Sequence, residues 1–335
     1  MKAVSLAKLG GPEQLTLIET PTPEPQAGQV RVKLHAAALN RRDVWITLGQ
    51  YPGIRLPCSM GSDGAGTIDQ VGPDVPTELL GREVVIYPAY DWGTNPRFPG
   101  PGFRVLGMPD PGTFAEFICV PASQVFPKPD FLNWEQAAAI PLAGLTAWRA
   151  LMTQAAAQPG ETVLVTGIGG GVATFAMKWA VGLDARTFVT SGSADKLEQA
   201  CRLGAVGGID YHTENWSKQL AALTGGVDVI IDGTGGDNFP SCLSLLKPGG
   251  RLVVYGATSG SPSGGLDMVR LFFRQTRIIG STMGSPDEFA AMLDFITEHH
   301  IEPVIDQVFP FDQVVAAHQR MLAAQHLGKI VLRCC

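Results

Sequence analysis

The sequence lacks several features that would each have pointed to a class. Its six cysteines stand at 58, 119, 201, 242, 334 and 335, and none forms a Cys-x-x-Cys pair. That removes zinc ribbons and thioredoxin-like motifs, and scattered thiols suit a reducing, cytoplasmic compartment. The terminal Cys334-Cys335 pair reads as exposed and prone to oxidation. No apolar run nears the roughly 20 residues that span a bilayer, and no charged-then-apolar leader opens the chain. There is no Lys/Arg run either, and the net charge is −6. Neither nucleic acid nor an anionic membrane is therefore expected as a partner. What remains is the profile of a globular protein, 45% apolar and 17% charged over 335 residues. That length is ample for two domains or one large one.

Glycine, by contrast, is abundant, and its densest use lies in the stretch from Glu161 to Ala205. The apolar run Thr162–Val165 shows no alternation, as in a buried parallel strand. It enters Gly167, Gly169, Gly170 and Gly171, and then the small and apolar residues Val172–Val181, which suit a helix packed closely on a sheet. A second strand over Thr187–Thr190 and a second helix over Asp195–Leu203 complete a β–α–β–α unit. Such glycines let the chain turn sharply and let a pyrophosphate approach the backbone of Gly169, Gly170, Gly171 and Val172. The helix N-terminus then holds the anion. A glycine string alone is weak; strand before, helix after and second strand at the right distance make a dinucleotide fold.

The end of the second strand reads the cofactor. An NAD site places Asp or Glu about 20 residues past the glycines, on the ribose 2′-hydroxyl. Here stand Ser191, Gly192 and Ser193, with Lys196 on the next helical turn. Two hydroxyls and an ammonium suit a 2′-phosphate and favour NADPH, although a serine cap with a solvated lysine would look the same.

The rest of the chain sorts into two kinds. Residues 1–127 read as β-rich: Met1–Leu6 with Leu15–Glu19, the alternating Gln29–Ala38, then Gly64–Val71, Arg82–Tyr87 and Thr113–Val120. His35, with no second His or Cys nearby, reads as a satisfied or solvated histidine. The Gly/Pro-rich segment Asp91–Pro111 is too long for a mere connector. From Trp134 helices lead into strands at Val227–Ile231, Arg251–Tyr255 and Ile278–Gly280, the pattern of a doubly wound parallel sheet. A helix over Pro286–His299, an amphipathic helix over Gln313–Gln325 and a strand over Lys329–Leu332 close the chain.

This order resembles the medium-chain dehydrogenase/reductase superfamily over essentially the whole chain. The motifs are Ala38-Leu39-Asn40-Arg41-Arg42-Asp43, Gly49-Gln50-Tyr51-Pro52, Gly61-Ser62-Asp63-Gly64-Ala65-Gly66, Thr146-Ala147, the Gly167–Ala173 turn, Leu203-Gly204-Ala205 and Gly328-Lys329-Ile330-Val331. The resemblance implies an α/β protein with a β-rich GroES-like catalytic domain, 1–127 and 283–335. A Rossmann dinucleotide-binding domain would cover 128–282. Zinc-bearing members carry a Cys where this chain has Asn40, a His where it has Ser62, and a Cys where it has Leu142. No donor of a tetrahedral zinc site remains. Their four-cysteine lobe matches Asp91–Pro111, which holds no cysteine. The metal-free chain thus looks like the quinone oxidoreductase branch, or like a zinc-type alcohol dehydrogenase-like protein that has lost both metals. None of the tyrosines at 51, 87, 90, 211 and 255 has a lysine four positions on, so the Tyr-x-x-x-Lys chemistry of short-chain reductases is absent.

Hydride transfer without zinc needs hydrogen-bond donors at the oxygen that gains charge. Asn40 is the first candidate, with a turn-stabilising asparagine as the alternative. Tyr51 could donate through its hydroxyl or form a stacking wall, or simply pack ahead of Pro52. Asp43 and Asp63 could orient Asn40 or each other, or cap turns. By resemblance, Thr146 opens a helix facing the nicotinamide end, Tyr211 covers the adenosine phosphate beside Lys196, and Lys329 lies near the cofactor. Gly256 and Ala257 follow a parallel strand at its ligand-binding end, where a buried strand-end glycine would look alike. The expected protein is a cytoplasmic homodimer that reduces a quinone, an enone or another activated carbonyl compound with NADPH. A zinc-independent alcohol or carbonyl dehydrogenase, or an NADPH-binding protein with little turnover, are the alternatives.

Overall fold

The computed structural model describes residues 1–334. They form two compact units, Met1–Ala143 with the chain from Ser285 onward, and Gly144–Gly284. The first therefore takes in residues 128–143, which the sequence reading gave to the dinucleotide domain. The reason is the helix Trp134–Ala139, which packs on the strands Gln29–Ala38, Asp63–Val71 and Lys329–Arg333. Trp134 stacks on the His35 ring at 4.3 Å, and His35 Nε2 pairs with Thr67 Oγ at 3.0 Å, so this histidine is satisfied.

In the first unit the alternation of Gln29–Ala38 does what period-two patterning requires. Val30, Val32, Leu34 and Ala36 are fully buried, while the residues between them face outward. This strand pairs antiparallel with Asp63–Val71, with Phe117–Pro121 and, at its far end, with Lys329–Arg333. The returning strand runs parallel to Ile305–Pro310. Phe117–Pro121 begins later than expected, because Thr113 and Phe114 bond their N–H groups to Gly61 and Met60 instead (2.9 Å each). The core gathers Leu6, Leu34, Leu39, Ile46, Met60, Ile68 and Phe114.

Two registers matter for the site. Ala38 faces Asp63 on one side and Val331 on the other, and the Leu39 N–H donates to Ile330 O at 2.9 Å. Residues just past 38, just before 64 and just before 330 must therefore meet. Cys334 lies on this returning segment; it is buried, and its N–H donates to His35 O at 2.9 Å. The expectation of an exposed thiol is wrong for Cys334, and Cys335 lies outside the described residues.

The second unit is a six-stranded parallel sheet in the order Gly207–Asp210, Arg186–Ser191, Thr162–Val165, Val227–Asp232, Leu246–Val254, Arg277–Gly280. Every pairing is parallel. The first strand in sequence stands in the middle, so the order reverses between Thr162–Val165 and Val227–Asp232, where sheets of this type bind ligands at their carboxyl ends. The helix Gly171–Gly182 buries Phe175, Ala176, Met177, Trp179 and Ala180. Among the described residues no helix is long and apolar enough to cross a membrane.

Candidate active site

In the first unit the sheet registers bring Asn40, Asp63 and Lys329 together. Lys329 Nζ donates to Asn40 Oδ1 and to Asp63 Oδ2, each at 2.7 Å, and Asn40 Nδ2 donates to Asp63 Oδ2 at 2.9 Å. The second oxygen of Asp63 accepts the Leu142 N–H at 2.8 Å. All three side chains are buried, Asp63 completely and Asn40 to 5% exposure. The ammonium can only donate and the carboxylate only accept, so the network itself sets which way the Asn40 amide faces. Sequence reasoning expected Lys329 near the cofactor; its ammonium is held in this buried cluster. The residues sit 266 and 289 positions apart from it, and no local signal links them.

Asn40 also stands at the N-cap of the helix Arg41–Thr47, where Asp43 Oδ2 accepts the Asn40 N–H at 2.7 Å. Both roles weighed for Asp43 and Asp63 are thus visible: one caps the helix beginning at Asn40, the other holds its amide. Asp43 Oδ1 is buried without a partner. Complete burial pushes the Asp43 carboxyl up to about 6, against the pull of the Arg42 guanidinium and the Asn40 N–H. Arg42, itself buried, donates to Ser62 Oγ (2.8 Å) and Leu106 O (2.9 Å) and lies 4.8 Å from the Tyr51 ring centre. Tyr51 is half-buried and packs against the core.

Zinc does not fit these residues. Asn40 and Asp63 already share a cation, Ser62 is committed to Arg42 and Leu106, and Leu142 offers an apolar side chain. A divalent ion would meet an ammonium where it needs an anionic or neutral donor. Among the described residues no three His, Cys, Asp or Glu side chains gather as a metal site.

In the second unit the glycine turn joins strand to helix as its spacing implies. Gly167 has φ +62, and a Cβ there would lie 2.5 Å from Thr234 Cγ2, so only glycine fits. Gly170 is the N-cap of Gly171–Gly182, with no side-chain cap, and a Cβ on it would meet nothing within 4 Å. The turn therefore leaves uncapped N–H groups and open space at a positive dipole end, which suits a pyrophosphate. The turn is braced by a cluster that sequence reasoning missed. Asp232, buried at the end of its strand, accepts from Thr166 Oγ1 (2.5 Å), Thr234 Oγ1 (2.7 Å) and the Gly235 N–H (3.0 Å). An aspartate at a strand end before Gly-Thr-Gly-Gly was the available signal.

Ser191 ends its strand and accepts the Ser193 N–H at 3.2 Å, and Ser193 caps the helix Ala194–Arg202 by accepting the Lys196 N–H at 3.5 Å. The parallel pairing with Gly207–Asp210 brings Tyr211 to this turn: its N–H donates to Ser191 O at 3.3 Å, and a Cβ on Gly192 would lie 3.0 Å from its hydroxyl. His212, not singled out from sequence, closes on the same glycine, with its Nδ1 3.0 Å from Asp210 Oδ1. The Tyr211 hydroxyl and the His212 imidazole thus stand beside Gly192, with Asp210 turned to the imidazole. Gly256 lies beside Gly233 at the neighbouring strand end, and Ala257 after it is exposed. Thr146 does not open its helix: the helix starts at Pro141, and Thr146 is buried within it, its Oγ1 3.9 Å from Met283 Sδ.

Comparison with known proteins agrees with both halves. Residues 26–130 match the family described as alcohol dehydrogenase GroES-like domain, and residues 171–298 the one described as zinc-binding dehydrogenase. The zinc-type alcohol dehydrogenase-like protein YogA of Leptosphaeria maculans is 36% identical over 96% of this chain and 94% of its own. A quinone oxidoreductase of Pseudomonas aeruginosa is 31% identical over 99% of each chain. A crystal structure of an NAD-dependent alcohol dehydrogenase superimposes with a TM-score of 0.94, at 38% identity, over 99% of each chain.

Proposed function

The chain belongs to the medium-chain dehydrogenase/reductase superfamily, and from that premise we propose that it is a metal-free, NADPH-dependent reductase of quinones, enones or related activated carbonyl compounds. That it is an oxidoreductase of the kind that uses a nicotinamide cofactor follows from its relatives. The finer reading rests chiefly on one observation: at one of the three positions where zinc-bearing members place metal ligands this chain has Asn40, whose amide is held in a buried cluster with the Asp63 carboxylate and the Lys329 ammonium. Such groups supply hydrogen bonds and no Lewis acid.

Bound NADPH supplies a hydride. The Gly169–Val172 turn would hold its pyrophosphate, and Ser191, Ser193, Lys196 and Tyr211 would receive the 2′-phosphate. The Asn40 amide donates an N–H to the acceptor oxygen as that oxygen gains charge. Quinones and enones delocalise this charge themselves, so one or two hydrogen bonds suffice. Solvent or the Tyr51 hydroxyl delivers the proton. Free, scattered thiols favour work in the cytoplasm.

A second reading, a zinc-independent alcohol or carbonyl dehydrogenase, draws on the crystal structure at 38% identity. Rates separate the two. Reduction of a quinone or enone with NADPH should exceed ethanol oxidation with NADP by at least about 100-fold, a barrier difference of roughly 2.7 kcal/mol. Equal rates would refute the reductase reading. Asn40→Ala should lower turnover by about 100–1000-fold, the usual cost of an oxyanion donor, with little change in NADPH binding. A wild-type rate in that variant would make Asn40 a helix cap and nothing more.

A further inference from the structure

A buried lysine is costly, and replacing a buried ion pair by apolar side chains is often neutral or stabilising. Lys329 is 2% exposed and Asp63 not at all, so stability alone is a poor reason for the pair. The backbone is nonetheless built to deliver it. Gly328 takes φ +91, a Cβ there would lie 2.2 Å from Val304 O, and Lys329 donates its N–H to Val304 O at 2.9 Å. Only glycine lets the returning strand begin so close to that carbonyl, and this start is what aims the next side chain inward.

We propose that Lys329 is a positioning residue for Asn40: its ammonium fixes the orientation of the Asn40 amide and strengthens its N–H donors. It bonds to Asn40, which stands at a position where zinc-bearing members carry a metal ligand. The proposal rests on the reading of Asn40 as the donor to the acceptor oxygen. Its physical basis is polarisation along a hydrogen-bonded chain in a dry environment. A cation at 2.7 Å from Oδ1 draws electron density toward the amide oxygen. The nitrogen becomes more positive, and its hydrogens become better donors. One of them is spent on Asp63 at 2.9 Å, which leaves the other to act. Without the ammonium the amide could rotate, presenting oxygen where a donor is needed.

The first test uses the wild-type protein. In protein labelled with ¹⁵N-lysine, a buried ammonium bonded to two acceptors should give a slowly exchanging signal at neutral pH, present in Lys128→Met and assigned by its loss in Lys329→Met. Absence of such a signal in the wild type overturns the proposal without any variant having to fold. The second uses ¹⁵N-asparagine protein, whose five asparagines are 40, 95, 133, 215 and 238. The Asn40 side-chain resonance should move in the charge-neutral Lys329→Met/Asp63→Asn variant; an unmoved resonance again overturns it. The third is kinetic. In that double variant the quinone kcat should fall about 10–100-fold, below the full cost of a lost donor, with KM and the NADPH Kd within about threefold of wild type. An unchanged kcat would make Lys329 structural only. If Asn40→Ala reduces quinones at the wild-type rate, the donor reading fails and Lys329 positions nothing, whereas the ammonium signal would still report the ion pair.

Discussion

Replacing Lys196 by alanine is the sharpest test of the cofactor. Lys196 is half-buried on the first turn of the helix Ala194–Arg202, its own N–H held by Ser193 Oγ. Tyr211 and His212 close on the neighbouring Gly192, and Asp210 is paired with His212. An ammonium facing a 2′-phosphate is a charge-assisted contact worth about 1.5–3 kcal/mol. Partial exposure puts the expected value in the lower half of that range, about 10–50-fold in Kd. Titration of protein fluorescence with NADPH and NADH in parallel measures it. NADPH should weaken by that factor, more at low salt than at high because the contact is screened, while NADH should change less than about twofold. The capping bond uses the backbone N–H, which alanine retains, so the helix should survive. Equal weakening of both cofactors would make Lys196 a support for the fold and not a reader of the 2′-phosphate.

Three further outcomes are expected. Purified protein should carry no stoichiometric zinc and should keep its activity in chelators, since Lys329 already occupies the Asn40–Asp63 pair; about one zinc per chain by elemental analysis would contradict this. The strand Arg277–Gly280 is the edge of its sheet, and the nearby helix Met268–Phe273 leaves Phe272 62% and Phe273 75% exposed. Pairing of this edge with its own copy should give a two-fold dimer, and light scattering that returned a 35.6 kDa particle at micromolar concentration would argue against it. Finally, His318 is fully buried, donates Nδ1–H to Val314 O at 2.8 Å, and is pushed down to about 4 by burial. A depressed histidine stabilises the fold above its unfolded value of about 6.5 and loses that contribution as pH falls toward 4, about 3 kcal/mol in all. Asp43, raised to about 6 from 3.8, acts in the opposite sense, becoming favourable as pH falls through that window. The difference in unfolding free energy between wild type and His318→Leu is therefore the quantity to read, and a difference that is flat between pH 6.5 and 4 would refute the assignment.

What the chain spells out alone is its local chemistry. The glycine turn, its preceding strand and its following helix are contiguous, so spacing and the pattern of apolar residues are enough to identify a dinucleotide unit. The long alternation of Gln29–Ala38 likewise announced a half-buried strand, and the missing Cys and His donors argued against zinc before any fold was known. Asn40 could be nominated because it stands at a motif position. Its partners could not all be found that way. Lys329 reaches Asn40 and Asp63 only because the last strand returns along Ala36–Ala38, with Val331 opposite Ala38. Pairing register across hundreds of residues is set by the packing of the whole sheet, not by any local preference. His212 joins the Ser191 turn for the same reason, through a parallel neighbour strand, and Thr146 falls inside its helix because Pro141 starts the helix earlier than the motif suggested. Composition and local spacing carry which groups are present and what cofactor class they suit; which of them meet depends on the fold, because buried charges find partners only where distant strands are brought side by side.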